Sequence, residues 1–169
     1  MLVLFDQITK MVATHFLKGK PAIPIIKNVF ELQYLENRSA AFGMDPVSLL
    51  HKLFSFSAFN ENLNLLFTFR MGFLIVITCI IFICLVLVYL GIPSTKRYQY
   101  MNWILLFFMA GAIGNFIDRI TNQYVVDFLY FKLINFPIFN VADIYVTVAA
   151  VFMLFLGLFY YKEEDFEIF

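Results

Sequence analysis

Apolar and polar positions alternate along this chain on a scale of about twenty residues. Residues 71–92 (MGFLIVITCIIFICLVLVYLGI) run for 22 positions without a charge, enough for the roughly 20 residues that a membrane-crossing helix requires. They predict a span over about 68–91, closed by Gly91 and Pro93. A second apolar run predicts a span over about 101–118, with Gly111 and Gly114 three apart, where a neighbouring helix packs closely. A further run predicts a span over about 140–161, followed by the short acidic tail KEEDFEIF. Residues 1–17 predict a helix in which Asp6 and Lys10 are spaced to pair. It is counted as a first span, yet it is short for a full crossing. It implies either a helix with further turns upstream or a partial insertion, and it lacks the basic start and cleavage site of a signal peptide.

Between the first and second apolar runs the period changes. KGKPAIP (18–24) breaks the helix with one glycine and two prolines. NVFELQYLEN (28–37) then sets Phe30, Leu32 and Tyr34 against Glu31 and Gln33, the period of a half-buried strand. A strand must lie outside the hydrocarbon, where its edges are paired or wetted. Asp45 and Pro46 form a helix start. Leu49, Leu50, Leu53 and Phe54 then share one face, which predicts an amphipathic helix on the membrane surface.

Composition adds weight to the membrane reading: 62% of residues are hydrophobic and only 14% charged, against about 25% charged in soluble proteins. The expected class is an integral membrane protein, mainly α, with one domain over 1–169. A formal charge of zero gives no basic surface for nucleic acid and no acidic tract for disorder. Four spans place both chain ends and the basic 91–100 loop on one side, cytoplasmic by the positive-inside rule. Six Lys or Arg between 18 and 70 run against that rule, although four acids accompany them. Cys79 and Cys84 fall five apart on one predicted helix, pointing in different directions. They are expected to be free, buried thiols. His15 and His51 stand alone, so no metal and no cofactor is expected.

The chemistry concentrates in GAIGNFIDRITNQYVVDFLYFKLINFPIFNVAD (111–143), which holds Asp118, Asp127 and Asp143 with Arg119, Asn115 and Asn140 between two spanning segments. Ionisable groups are costly at membrane depth, and a cluster of them marks a cavity or pathway. Asp127 and Asp143, carried on separate elements, are candidates to converge as a carboxyl pair sharing one proton. Each residue also has a local explanation. Asp143 lies three after Asn140, the spacing of a capping box. Asn115, Asp118 and Arg119 suit a polar knot that satisfies buried groups. Asp6 suits an intrahelical pair with Lys10, and Asn37 suits the turn after its strand. The phenylalanines read as packing or lipid-facing residues. Asp127 alone has no obvious neighbour.

Five blocks, DQITK (6–10), ENRSAAFG (36–43), GAIGNFIDR (111–119), VVDF (125–128) and FNVAD (139–143), resemble in order and type those of the lipoprotein signal peptidases, also called signal peptidase II. The resemblance implies a four-span aspartic protease of the bacterial inner membrane with a small extracytoplasmic β-sheet and a surface helix. Its implied substrate is a prolipoprotein, cut before the cysteine that bears diacylglycerol. It further implies Asp127 and Asp143 as the catalytic dyad, Asn37, Asn115, Arg119 and Asn140 as shaping or binding at the site, and Asp6 and Asp118 in support. The implied partners are the prolipoprotein and membrane lipid, and a monomer is expected. Ser39 stands where this family usually has glycine, and the hydrophobic lead before DQITK is shorter than usual. The rival function is a small proton- or ion-translocating protein using the same carboxylates, although no inverted repeat is present. A non-enzymatic scaffold would tolerate loss of either aspartate.

Overall fold

The computed structural model describes residues 1–39 and 63–166, so the predicted surface helix lies outside the described residues. Helix α1 (Leu2–Leu17) buries Asp6, Lys10, Ala13 and Leu17 on one stripe, while Leu4, Phe5, Met11, Val12 and Phe16 point outward, all at least half exposed. Charge inside and hydrocarbon outside is the reverse of a soluble helix and fits a lipid surround. Lys18 turns extended and Gly19 adopts a φ of +73°, a conformation that glycine reaches without steric cost. The helix ends there as expected.

The single expected strand is one of three. Strand β1 (Ile23–Ile26) pairs antiparallel with β2 (Phe30–Asn37), which pairs antiparallel with β3 (Val125–Phe131), in the order β1-β2-β3. Pro24 lacks a backbone donor, and it sits on the outermost strand at an irregularity in the pairing, where that loss is tolerated. In the β2–β3 ladder Leu35 faces Asp127 and Asn37 faces Val125. The period-two reading anticipated β2. The clustered apolar residues of β3 gave no alternation, because Val125, Val126, Asp127 and Phe128 are all buried.

Helices α2 (Leu63–Gly91), α3 (Gln99–Asn122) and α4 (Val141–Phe159) follow. Among the described residues, three helical stretches are long and apolar enough to cross a membrane: Phe69–Gly91, Lys96–Asn122 and Val141–Phe159. At 16 residues, α1 is about 24 Å long at 1.5 Å per residue and is not among them. The helix of the third expected span extends about a turn further than predicted, so Arg119 lies on α3 rather than beyond it. Cys79 and Cys84 are free, as expected, but not buried. Cys79 is half-buried and Cys84 exposed, on a helix whose outward residues Val76, Ile80, Ile83 and Leu87 are similarly exposed. The apolar run predicted membrane depth, not protein contact.

Gly111 and Gly114 form the close contact predicted for them. A Cβ on Gly111 would come within 2.6 Å of the Ala142 carbonyl oxygen and of Val146 Cγ2, and one on Gly114 within 2.6 Å of Asp6 Oδ2. Absence of these two side chains is what allows α1, α3 and the start of α4 to meet. At the opposite end of the bundle, Arg97 donates to Asp165 Oδ2 at 2.6 Å and to the Tyr160 carbonyl at 2.7 Å, over the Tyr160 ring. A core of Ile104, Ala149, Leu156 and Tyr161 lies beside this clamp.

Candidate active site

Helix α3 ends at Gln123, whose left-handed φ of 62° turns the chain into β3. Asp127 follows two buried valines and is itself 1% exposed. Its flanking backbone is pinned on both sides. The Val126 N–H donates to Asp118 Oδ2 at 2.9 Å, and the Phe128 N–H donates to the Phe139 carbonyl at 3.0 Å. The Phe139 N–H returns a bond to the Leu129 carbonyl at 3.0 Å. This short pairing delivers the next residue, Asn140, beside Asp127.

Asn140 begins α4, and the capping box expected from its spacing is present. The Asp143 N–H donates to Asn140 Oδ1 at 3.1 Å, and the Asn140 N–H donates to Asp143 Oδ2 at 3.1 Å. Asp143 therefore sits in the first turn, where the unpaired N–H groups and the helix dipole favour negative charge. The capping reading and the site reading are compatible, because only one carboxylate oxygen is used by the cap. Asp143 Oδ1 accepts from Asn115 Nδ2 at 2.8 Å.

Three asparagines join the two acids. Asn140 Nδ2 donates to Asp127 Oδ1 at 2.6 Å and to Asn115 Oδ1 at 3.0 Å. Asn37 Nδ2, from the end of β2, donates to Asp127 Oδ2 at 2.7 Å. Every carboxylate oxygen of the pair thus accepts a hydrogen bond from an amide. Lys10 fixes the direction of the chain. Its ammonium, which can only donate, meets Asn115 Oδ1 at 2.9 Å, so the Asn115 amide must turn its N–H toward Asp143. Burial pushes the Asp127 carboxyl up to about 7, the neighbouring Asp143 charge adds to the rise, and the Asn37 and Asn140 donors oppose it. A proton held near neutrality is what a shared-proton pair requires.

Both acids open on one cavity of about 420 Å³, also lined by Asn37, Asn115 and Arg119. Its remaining wall is mostly apolar and includes Phe131, Ile134, Phe136, Phe139 and Ile144. The phenylalanines expected to be packing or lipid-facing thus include three that line the site. Arg119 contributes a guanidinium on the cavity wall, four residues after Asn115 and only weakly bonded to its carbonyl at 3.5 Å. The local knot expected of it is therefore slight. Asn140 is fully buried between the acids, while Asp6 and Asp118 stand behind them with 0% and 2% exposure. Asp6 does pair with Lys10, at 3.0 Å, but Lys10 also reaches Asp118 at 3.1 Å. Sequence reasoning treated Lys10 as a local partner only. Its place in the DQITK block was the available signal, as it was for Gln7, which donates to Asp118 Oδ1 at 3.2 Å.

Ser39, in the position where glycine was expected, has no left-handed backbone, for the non-glycine residues of positive φ among those described are Asn28, Gln123 and Asn135. Its N–H donates to Asn37 Oδ1 at 2.9 Å. Asn37 consequently holds its turn with the oxygen and donates to Asp127 with the nitrogen.

These features define a polytopic membrane protein with a buried, amide-bridged carboxylate pair on the wall of a largely apolar cavity. Residues 1–159 match the family model described as signal peptidase (SPase) II, Peptidase_A8, and the chain belongs to that family of aspartic peptidases. It is 38% identical over 159 residues to the lipoprotein signal peptidase of Caldanaerobacter subterraneus subsp. tengcongensis, covering 94% of this chain and 91% of that one. It is 34% identical over 168 residues to the lipoprotein signal peptidase of Clostridium tetani, covering 98% and 90%. A bacterial membrane enzyme structure obtained by the in meso method at 1.9 Å resolution is similar, with a TM-score of 0.70 and 28% identity over 95% of this chain and 89% of the other.

Proposed function

We propose that Asp127 and Asp143 are the catalytic dyad of this signal peptidase, and that it cleaves diacylglyceryl-modified prolipoproteins before the lipidated cysteine. The observation that carries this reading is the convergence of both carboxyls on one largely apolar cavity, from elements 16 residues apart in sequence. An apolar wall suits the hydrophobic signal helix and acyl chains, and a carboxyl pair suits peptide hydrolysis.

Asp143, in the first turn of α4, carries the negative charge, and Asp127, raised to about 7, carries the proton. A water between them attacks the scissile carbonyl carbon while giving a proton to Asp143 and the carbonyl oxygen takes the Asp127 proton. The tetrahedral intermediate collapses as the C–N bond breaks. The Asp143 proton leaves with the amine, and the hydroxyl returns its proton to Asp127 as the new acid forms. No covalent enzyme intermediate is required. Arg119 faces the cavity as a donor for the substrate backbone, with Asn37, Asn115 and Asn140 holding the dyad and Asp6 and Asp118 supporting it. One chain supplies both aspartates, so a monomer suffices.

In this reading α1 inserts as a fourth membrane element beside the three long helices. The three-stranded sheet lies on the extracytoplasmic face of the inner membrane, clamping the cysteine end of the substrate. The rival translocation reading predicts proton or ion flux that Asp127→Asn abolishes and no peptide cleavage. The deciding experiment is cleavage of a diacylglyceryl-modified prolipoprotein peptide by the purified protein, with Asp127→Asn and Asp143→Asn beside it. Cleavage by the parent and loss in both folded variants is expected. Full activity in either variant overturns the dyad.

A further inference from the structure

Behind the carboxylate pair lies a second buried cluster that the hydrolysis itself does not use. Asp6, Lys10 and Asp118 are 0%, 3% and 2% exposed. The Lys10 ammonium has three protons and three acceptors: Asp6 Oδ2 at 3.0 Å, Asp118 Oδ2 at 3.1 Å and Asn115 Oδ1 at 2.9 Å. Charge neutralisation alone would explain an ion cluster at this depth. It would not explain where the carboxylates lead. Asp6 Oδ1 accepts the backbone N–H of Ala142 at 2.8 Å, and Asp118 Oδ2 accepts that of Val126 at 2.9 Å. Ala142 immediately precedes Asp143, and Val126 immediately precedes Asp127. Both acids of the cluster therefore grip the backbone one residue ahead of a dyad aspartate. Gln7 adds a cross-link, donating to Asp6 Oδ2 at 3.2 Å, to Asp118 Oδ1 at 3.2 Å and to the Gly114 carbonyl at 3.1 Å.

We propose that Lys10 is a positioning residue that sets the spacing of the dyad: by drawing Asp6 and Asp118 onto one ammonium it locks the start of α4 to the start of β3. The inference rests on the dyad reading above. Helices α1 and α3 carry neither reacting aspartate; Asp6 and Lys10 of the one and Asp118 of the other act here as the clasp between the two elements that do. A sub-ångström change in the clasp passes directly to Asp127 and Asp143, because each is the next residue along the chain. Reacting groups displaced by about 1 Å lose on the order of 100-fold in rate.

The test uses the full chain in detergent with a diacylglyceryl-modified prolipoprotein peptide. Lys10→Gln removes the ammonium and leaves two acids unpaired. Lys10→Gln/Asp118→Asn is charge-balanced and keeps an oxygen for the Val126 N–H. Measured are kcat, KM, the pH-rate profile and the thermal midpoint, with Asp127→Asn and Asp143→Asn as references. The double variant is expected to fold, to lose about 10-fold or more in kcat, and to keep KM within about 2-fold. The charged groups around the pair are Asp6 and Lys10 from α1 and Asp118 and Arg119 from α3. Removing Lys10 alone should also move the pH profile upward, since its charge favours ionised Asp127, and the double variant should restore the profile while remaining slow. A folded double variant with parental kcat overturns the inference, and so does a double variant that cannot fold, which would make the cluster an element of stability. If Asp127→Asn or Asp143→Asn cleaves normally, the dyad reading fails instead.

Discussion

Asn140 donates one amide hydrogen to Asp127 at 2.6 Å from a position of complete burial. The same side chain caps the helix that carries Asp143, so one residue fixes both acids. Asn140→Ala should therefore show two effects. Loss of the cap costs about 0.5–2 kcal/mol of stability, read as a lower unfolding midpoint. Loss of the donor should lower kcat by about 100-fold or more, since both acids move. An unchanged kcat in a destabilised variant would confine Asn140 to capping.

The raised carboxyl of Asp127 sets the pH dependence. Its folded value of about 7 lies above the ordinary 3.8, chiefly through burial and then the Asp143 charge. The folded state consequently binds more protons than the unfolded state between about pH 4 and 7, and stability should fall across that window as pH rises. Above about pH 7 this contribution is constant. Asp127→Asn should flatten the slope, measured by denaturant unfolding at several pH values. The cleavage rate should decline on the alkaline side near neutrality, with apparent values that belong to the pair.

Gly111 and Gly72 should respond differently to the same change. An added methyl on Gly111 meets the Ala142 carbonyl oxygen at 2.6 Å, whereas nothing lies within 4 Å of one on Gly72. Gly111→Ala should destabilise by about 1–3 kcal/mol and reduce cleavage by shifting the start of α4. Gly72→Ala should be neutral or slightly stabilising, because alanine favours a helix by up to about 1 kcal/mol over glycine. Thermal unfolding and initial rates, measured together, check both.

Ser39→Gly tests the departure from the family's usual glycine. The turn uses the Ser39 backbone N–H, which donates to Asn37 Oδ1, and the position has no positive φ. Cleavage should stay within about 2-fold of the parent, because glycine keeps that N–H and adds only backbone freedom. Asn37→Ala, which removes the 2.7 Å bond to Asp127, should reduce the rate by at least about 10-fold. Equal losses in the two variants would mean that the turn, not the amide donor, governs the site.

Much of this molecule was legible before its structure. Uninterrupted apolar runs predict membrane-crossing helices because a backbone in hydrocarbon must satisfy its own hydrogen bonds. Period-two alternation predicts β2, and the Asn140–Asp143 spacing predicts its capping box. Those signals are local, since the residues that make them are neighbours in the chain. The order of five short blocks also pointed to the family and to five polar residues that line the cavity, Asn37, Asn115, Arg119, Asp127 and Asp143. Local signals failed at β3, where burial on both faces removes alternation, and at the cysteines, where an apolar run does not tell lipid from protein. Similarly, they could not separate phenylalanines facing lipid from those lining the cavity.

Apolar runs in the chain suffice to show that it enters a membrane, where its long helices lie, and which polar residues are too costly there to be incidental. How those residues meet depends on the packing of the folded chain. Asp127 is joined to Asn37 across 90 residues and Ala142 to Asp6 across 136, distances over which no periodicity operates. The physical reason is that buried polar groups must find partners wherever the fold brings them. Here the gaps left by Gly111 and Gly114 let three helices close enough for those partners to be each other.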